Sequence, residues 1–215
     1  CIRDRNMSGP KTRTRRAHNR EATEQSLLDA CGRILLRDGP DGIRVNNVVA
    51  EAGVGKDLIY RYFGGLPGLI KAWLDSDVNW PTTDELTYSG TDDFARLDVT
   101  RKVQAVCRNY IAALRKRPVI MRLLVSEIMH PTDITAVFEA AGDRIGKELY
   151  RSLQLSGSEY GDDVVDVSLI FTIMTNYLCM RAATNPQAFG MDLTDDASWQ
   201  RITRIMETLI ERYLA

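Results

Sequence analysis

The chain has 215 residues and a mass of 24.2 kDa, with 27% charged and 44% hydrophobic residues. That suffices for one large or two small domains around a real core. The 28 basic and 29 acidic residues leave a formal charge of −1, so the overall balance names no partner. Cys1, Cys31, Cys107 and Cys179 lie far apart and form no CxxC pair, which argues against a disulfide scaffold and a zinc knuckle. No apolar run is expected to reach the roughly 20 residues that span a bilayer, and no signal-peptide pattern is seen. The expected compartment is the reducing cytoplasm. Cys1 precedes the first methionine, Met7, so residues 1–6 are expected to be either foreign to the native chain or the product of an alternative start, and the fold expectation does not use them.

Charge is unevenly spread. Residues 1–65 carry twelve basic and eight acidic side chains, and the remaining 150 carry 16 and 21. Residues 11–20 hold five basic residues and no acid. Residues 1–19 therefore read as a flexible basic arm, which either meets nucleic-acid phosphates or is simply solvated.

A helix is expected over 20–38, where Leu27, Leu28, Cys31, Ile34 and Leu35 form one apolar stripe closed by Gly39 and Pro40. Gly32 inside it costs about 1 kcal/mol relative to Ala. Short helices over 45–52 and 56–62 follow, then one from Pro67 to about Asn79 with Leu69, Ile70, Trp73 and Leu74 inward. Residues 81–93 read as a loop. Helices are expected over 95–117, 119–129 and 132–155. Gly157–Gly161 reads as a loop. The segment 162–184 is apolar nearly all round and is expected to be buried on most faces. Residues 186–196 read as a loop before a last helix over 197–214. No strand alternation is seen. The expected fold is all-α with about nine helices: a three-helix unit over 20–65 and a larger helical unit over 66–215.

The informative segment runs from Val48 to Phe63. Ala52 is small enough for two helix backbones to cross, Gly53 supplies the positive φ of a turn, and Val48, Val49, Val54 and Ile59 are apolar. The polar face of the second helix is left free to enter a major groove. This helix-turn-helix resembles the TetR family of bacterial transcriptional regulators. Ala52-Gly53-Val54, Ile59, Tyr60, Tyr62 and Phe63 match the family's core at its spacing. Leu28-Asp29-Ala30-Cys31 and Asp38-Gly39 match its first helix. The specific match covers about residues 20–75.

The resemblance implies a homodimer, paired through the last two long helices, that binds a palindromic operator in double-stranded DNA. It places Arg44, Asn46, Lys56, Asp57, Leu58, Tyr60, Arg61 and Tyr62 at the DNA-facing positions. Lys56 and Arg61 could donate to phosphate or guanine, Asn46 could bond adenine, and the tyrosines could bond phosphate. Tyr60 reads equally as core. Departures from the family pattern are Gly55 at a capping Ser/Thr position, Arg44 at the cap of the second helix, Leu58 for a frequent Thr, and Leu66 for a phosphate-gripping Lys. The resemblance also implies a small-molecule effector among the middle helices. The candidate lining is Cys107, Tyr110, Leu114, Met121, Leu124, Phe138, Phe171, Met174 and Tyr177, which suits a largely apolar ligand; plain core packing is the alternative for each.

Glu127 and Arg181 could bind a charged group or each other. Glu127 and His130 have metal-pair spacing but no third ligand, so no metal and no cofactor are expected. No nucleophile elbow, P-loop or dinucleotide fingerprint is found, so an enzyme is not expected. The sequence thus reads as a ligand-released repressor without a membrane role. A thiol-responsive sensor using Cys107 or Cys179, and a ligand-binding or scaffold protein that has lost DNA recognition, are the alternatives.

Overall fold

The computed structural model describes residues 11–76, 80–88, 90, 93–129, 132, 136–153 and 161–215, with no side-chain description for 11–18, 127 and 139. Ten α-helices occur among them: α1 (Lys11–Asp38), α2 (Val45–Ala52), α3 (Asp57–Phe63), α4 (Leu66–Leu74), α5 (Thr83–Thr87), α6 (Val99–Arg115), α7 (Pro118–Met129), α8 (Ala136–Ser152), α9 (Gly161–Thr184) and α10 (Asp196–Tyr213). The chain divides into two compact units, the first ending at Trp73 and the second running from Leu74 to Ala215.

In the first unit four residues of the stripe expected on α1, Leu27, Cys31, Ile34 and Leu35, are fully buried with Val48, Ile59, Leu69 and Ile70, while Leu28 is only half-buried and Ala30 is buried in its stead. Arg33 and Arg37 pair with Glu51 at 2.8 and 3.1 Å, and Ser26 Oγ donates to the Ala52 carbonyl, so α1 grips both the side and the C-terminal end of α2. A Cβ on Gly32 would lie 2.8 Å from Trp73 Nε1. The helix-weakening glycine is what lets the Trp73 indole approach α1.

Helix α1 starts at Lys11, so residues 11–19, read as an arm, are helical. Lys, Arg and Ala all favour helix, and nothing between Pro10 and Gly32 interrupts it. Residues 1–10 lie outside the described part. Helix α4 ends at Leu74 instead of near residue 79, and residues 77–79 are not described.

In the second unit, α6 and α9 pack together with α7 and α10 against both and α5 against α6, and α8 packs on α5 and α7. The expected 81–93 loop contains α5. Thr82 caps it by accepting from the Glu85 amide at 3.1 Å, and Thr82-x-x-Glu85 is a capping-box sequence. Phe94–Arg96 is a 3-10 turn, and α6 begins after Asp98, whose carboxylate accepts from the Arg101 amide at 2.8 Å. The expected 186–196 loop holds a two-residue hairpin, Gln187–Ala188 with Met191–Asp192. Its turn needs two positive φ angles, which Phe189 (49°) and Gly190 (76°) adopt. The His130, Pro131 and Ile134 positions, and most of the expected Gly157–Gly161 loop, lie outside the described residues.

The largest departure concerns α9. It buries one stripe, Val164, Val167, Phe171, Thr175 and Cys179, while Leu169, Ile170, Ile173 and Tyr177 are half-exposed. An all-round apolar helix is therefore covered on one side only within a single chain. It is also long and apolar enough to cross a membrane by length and composition. This corrects the expectation that no run approaches that length: its Ser, Thr and Asn residues interrupt the apolar letters but carry no charge.

Candidate functional site

Two surfaces concentrate the candidate residues, one in each unit.

In the first unit, Gly53 ends α2 in the left-handed conformation (φ 69°, ψ 32°) and turns the chain toward α3. The Val54 amide closes the turn on the Val49 carbonyl at 3.1 Å. Ile59 fixes α3 by full burial. Gly64 (φ 73°) ends it, and a Cβ on Gly68 would come within 1.8 Å of the Phe63 carbonyl oxygen. These glycines allow the tight passage from α3 to α4.

With Ile59 inward, the other side of α3 is left to solvent. Arg44, Asn46, Lys56, Asp57, Tyr60 and Arg61 are exposed, and Leu58 and Tyr62 are half-buried. Tyr60 is 58% exposed, which removes the core reading for it. Arg20 of α1, itself paired with Glu24 at 2.7 Å, and Arg61 of α3 lie over the Tyr62 ring at 5.1 and 5.2 Å, two cation–π contacts that bring guanidinium groups beside α3. Asp57 opposes them, pairing with Arg61 at 3.6 Å. Neither Arg44, at the N-cap of α2, nor Lys56, at that of α3, makes a side-chain capping bond. The N-cap of α3 is thus Lys56, one residue after the Gly55 expected there, and neither helix start has a side-chain cap.

In the second unit a cavity of about 800 Å³ opens among α6, α8 and α9. Of the nine candidate lining residues, Cys107, Tyr110, Leu124, Phe138 and Phe171 line it. Leu114 and Met121 are instead sealed in the core. Met174 lies in a shallower groove between α9 and α10, with Ile170, Leu209 and Tyr213. Tyr177 is half-exposed on α9 and lines neither space. The sequence reading missed Trp80, Leu86, Val106, Leu149, Leu153, Val164, Leu169 and Asn176 on the cavity wall, and Gly142 and Gly146, one helical turn apart on α8. That glycine spacing was the available signal. A Cβ on Gly146 would meet nothing within 4 Å, so open space stands before it.

The charged lining residues Asp143, Lys147 and Arg151 all belong to α8 and are exposed. Inside, Tyr110 Oη donates to Asn176 Oδ1 at 2.8 Å. Burial, the largest cause, pushes the Tyr110 hydroxyl well above its usual range, so it stays a donor at neutral pH. Burial also pushes the Cys107 and Cys179 thiols up to about 12. Burial thus disfavours the thiolate form that a reactive sensor needs. No group of three metal-ligating side chains occurs among the described residues; Glu127 and His130 fall outside what is described of side chains. Arg181 Nη2 donates to the Gln187 carbonyl at 2.6 Å, and its Nε is buried without a partner among the described residues.

No protein-family model matches the chain, and no curated protein matches it. Among solved structures it is similar to a TetR-like transcriptional regulator from Rhodococcus sp. RHA1, at 17% identity and a TM-score of 0.54. The match covers 89% of this chain and 95% of that one. The fold of this chain is therefore that of a TetR-like transcriptional regulator.

Proposed function

We propose that the protein is a homodimeric DNA-binding regulator, a repressor released from a palindromic operator by a small, largely apolar molecule. The observation that carries this reading is the combination, within one TetR-like fold, of a helix-turn-helix with an outward polar face and an apolar cavity in the following unit. Lys56 and Arg61 supply phosphate or guanine contacts, Asn46 an adenine contact, Tyr60 and Tyr62 phosphate contacts, Leu58 a thymine-methyl contact, and Arg44 a backbone contact. Asp57 restrains Arg61. The ligand occupies the cavity among α6, α8 and α9, and differential affinity for two conformations couples it to DNA. Such a regulator works in the cytoplasm, where its operator is.

The exposed apolar side chains of α9 and α10 support dimerisation. Ile170, Ile173, Met174 and Tyr177 on α9, and Ile205, Leu209 and Tyr213 on α10, are between 37% and 57% exposed. A patch of this kind is unusual on a monomer. Pairing two such helix pairs as a bundle would cover it in an obligate interface of roughly 2,000 Å² or more.

The test is a salt titration on a duplex of about 30 base pairs, enough for two half-sites one helical turn apart. The wild type is expected to bind with a log–log salt slope several units steep, and Lys56→Ala with Arg61→Ala to flatten it by about one unit per lost phosphate contact. No salt-dependent binding by folded dimer would sink the reading and favour a TetR-like ligand-binding protein without DNA recognition.

A further inference from the structure

The uncharged polar side chains on the cavity wall are Tyr110, Ser168, Thr172, Thr175 and Asn176, and two of them pair with each other. Tyr110 on α6 and Asn176 on α9 meet inside it, hydroxyl to amide oxygen, at 2.8 Å. The bond satisfies Asn176 Oδ1. Asn176 Nδ2 makes no hydrogen bond among the described residues, so the amide's two N–H donors remain on the lining. Around the pair are Val106, Cys107, Phe171 and Thr175. A ligand's carboxylate or ammonium would find its partners only among exposed, solvated side chains of the described lining. The charges that line the cavity, Asp143, Lys147 and Arg151, sit on the exposed side of α8.

We propose that the effector is an uncharged apolar molecule bearing a carbonyl oxygen, which accepts from Asn176 Nδ2, while Tyr110 holds the Asn176 amide in the orientation that presents those donors. This deepens the ligand reading above and rests on it. An unmet amide in an apolar wall discriminates against ligands that cannot bond it, because filling the cavity would strip its water without replacement. The carbonyl fixes the ligand's orientation and the apolar body supplies most of its burial.

Calorimetric titration of the full-length protein with acetylnaphthalene, and with its near-isostere isopropenylnaphthalene, tests this. The ketone is expected to bind about tenfold tighter, the value of one buried hydrogen bond. Asn176→Leu should erase that preference while keeping hydrocarbon binding. Asn176→Asp, which retains an acceptor for Tyr110 Oη but has no N–H, should erase it too. Tyr110→Phe, which leaves the amide free to turn, should lose part of the preference while keeping hydrocarbon binding. Gly146→Phe, with its side chain in the open space, should block both compounds. Equal affinities in the wild type, a preference that survives both Asn176 variants, or tighter binding of naphthoate than of the ketone would overturn the inference while leaving the cavity as a ligand site. Binding of neither compound to folded wild type would overturn the cavity reading itself, and this inference with it.

Discussion

The two units expose opposite kinds of surface. On α3 the exposed side chains are Lys56, Asp57, Tyr60 and Arg61, and the apolar Ile59 is sealed inside. On α9 and α10 the exposed side chains include Ile170, Ile173, Tyr177, Ile205 and Leu209. Leaving polar groups in water costs nothing, so the face of α3 is stable without a partner and available to a polyanion. Apolar groups left in water forgo about 25 cal/mol per Å², so the α9–α10 surface calls for a permanent cover. The difference teaches what kind of contact each surface suits: salt-sensitive and reversible for the first, obligate for the second.

The strongest way to break this comparison is to charge the apolar surface. Ile173→Asp with Leu209→Asp should weaken self-association at least about a thousandfold, since two anchors at an interface centre are worth roughly 4 kcal/mol together; sedimentation measures it. An unchanged oligomer would mean that these side chains are not in the interface. Next in size is Gly68→Ala. Its Cβ would collide with the Phe63 carbonyl at 1.8 Å, so the first unit should lose about 2–3 kcal/mol of stability in a denaturant melt, while the second unit melts as before.

On the polar side, Lys56→Ala should lower DNA affinity about tenfold at low salt and reduce the salt slope by about one unit per half-site. An affinity loss with no change in slope would place Lys56 away from phosphate. Asp57→Asn should act in the opposite sense. It removes a like charge from the DNA-facing side and frees Arg61 from its 3.6 Å partner, so affinity should rise a few-fold, as for an exposed pair worth under about 1 kcal/mol. The smallest effect concerns pH. Hydrogen bonds from Arg33 and then Arg37 hold the Glu51 carboxyl below its ordinary range. A depressed folded-state pKa contributes stability above the unfolded value that is lost as pH falls through the folded one. Glu51→Gln should therefore flatten the acid side of the first unit's stability profile by slightly lowering stability at neutral pH, where the contribution is fully present, and leave stability at low pH unchanged.

The helix-turn-helix was legible because its punctuation is local. Gly39, Gly53 and Gly64 stand at the helix ends, and each adopts the positive φ that a glycine there implies. The short α5 was just as local, through Thr82 and Glu85, but five helical residues carry too little periodicity to outweigh the surrounding polar letters. The cavity was only half legible for a different reason. An all-round apolar helix does not say which face meets which neighbour. On α9 the core takes Val167 and Cys179, the cavity takes Leu169 and Asn176, and the outside keeps Ile173 and Tyr177. Met174 and Tyr177 were placed on the wrong face for that reason. The Tyr110–Asn176 bond joins residues 66 apart in the chain, and nothing in either helix alone announces it.

The central claim is tested most directly by selecting DNA from a random duplex library with the purified full-length protein and titrating the recovered site at two salt concentrations. The account predicts a palindrome with half-sites about one helical turn, roughly 34 Å, apart, bound with a steep salt slope that Lys56→Ala and Arg61→Ala both reduce. Recovery of no sequence, from protein shown to be folded, dimeric and free of a bound small molecule, would contradict it.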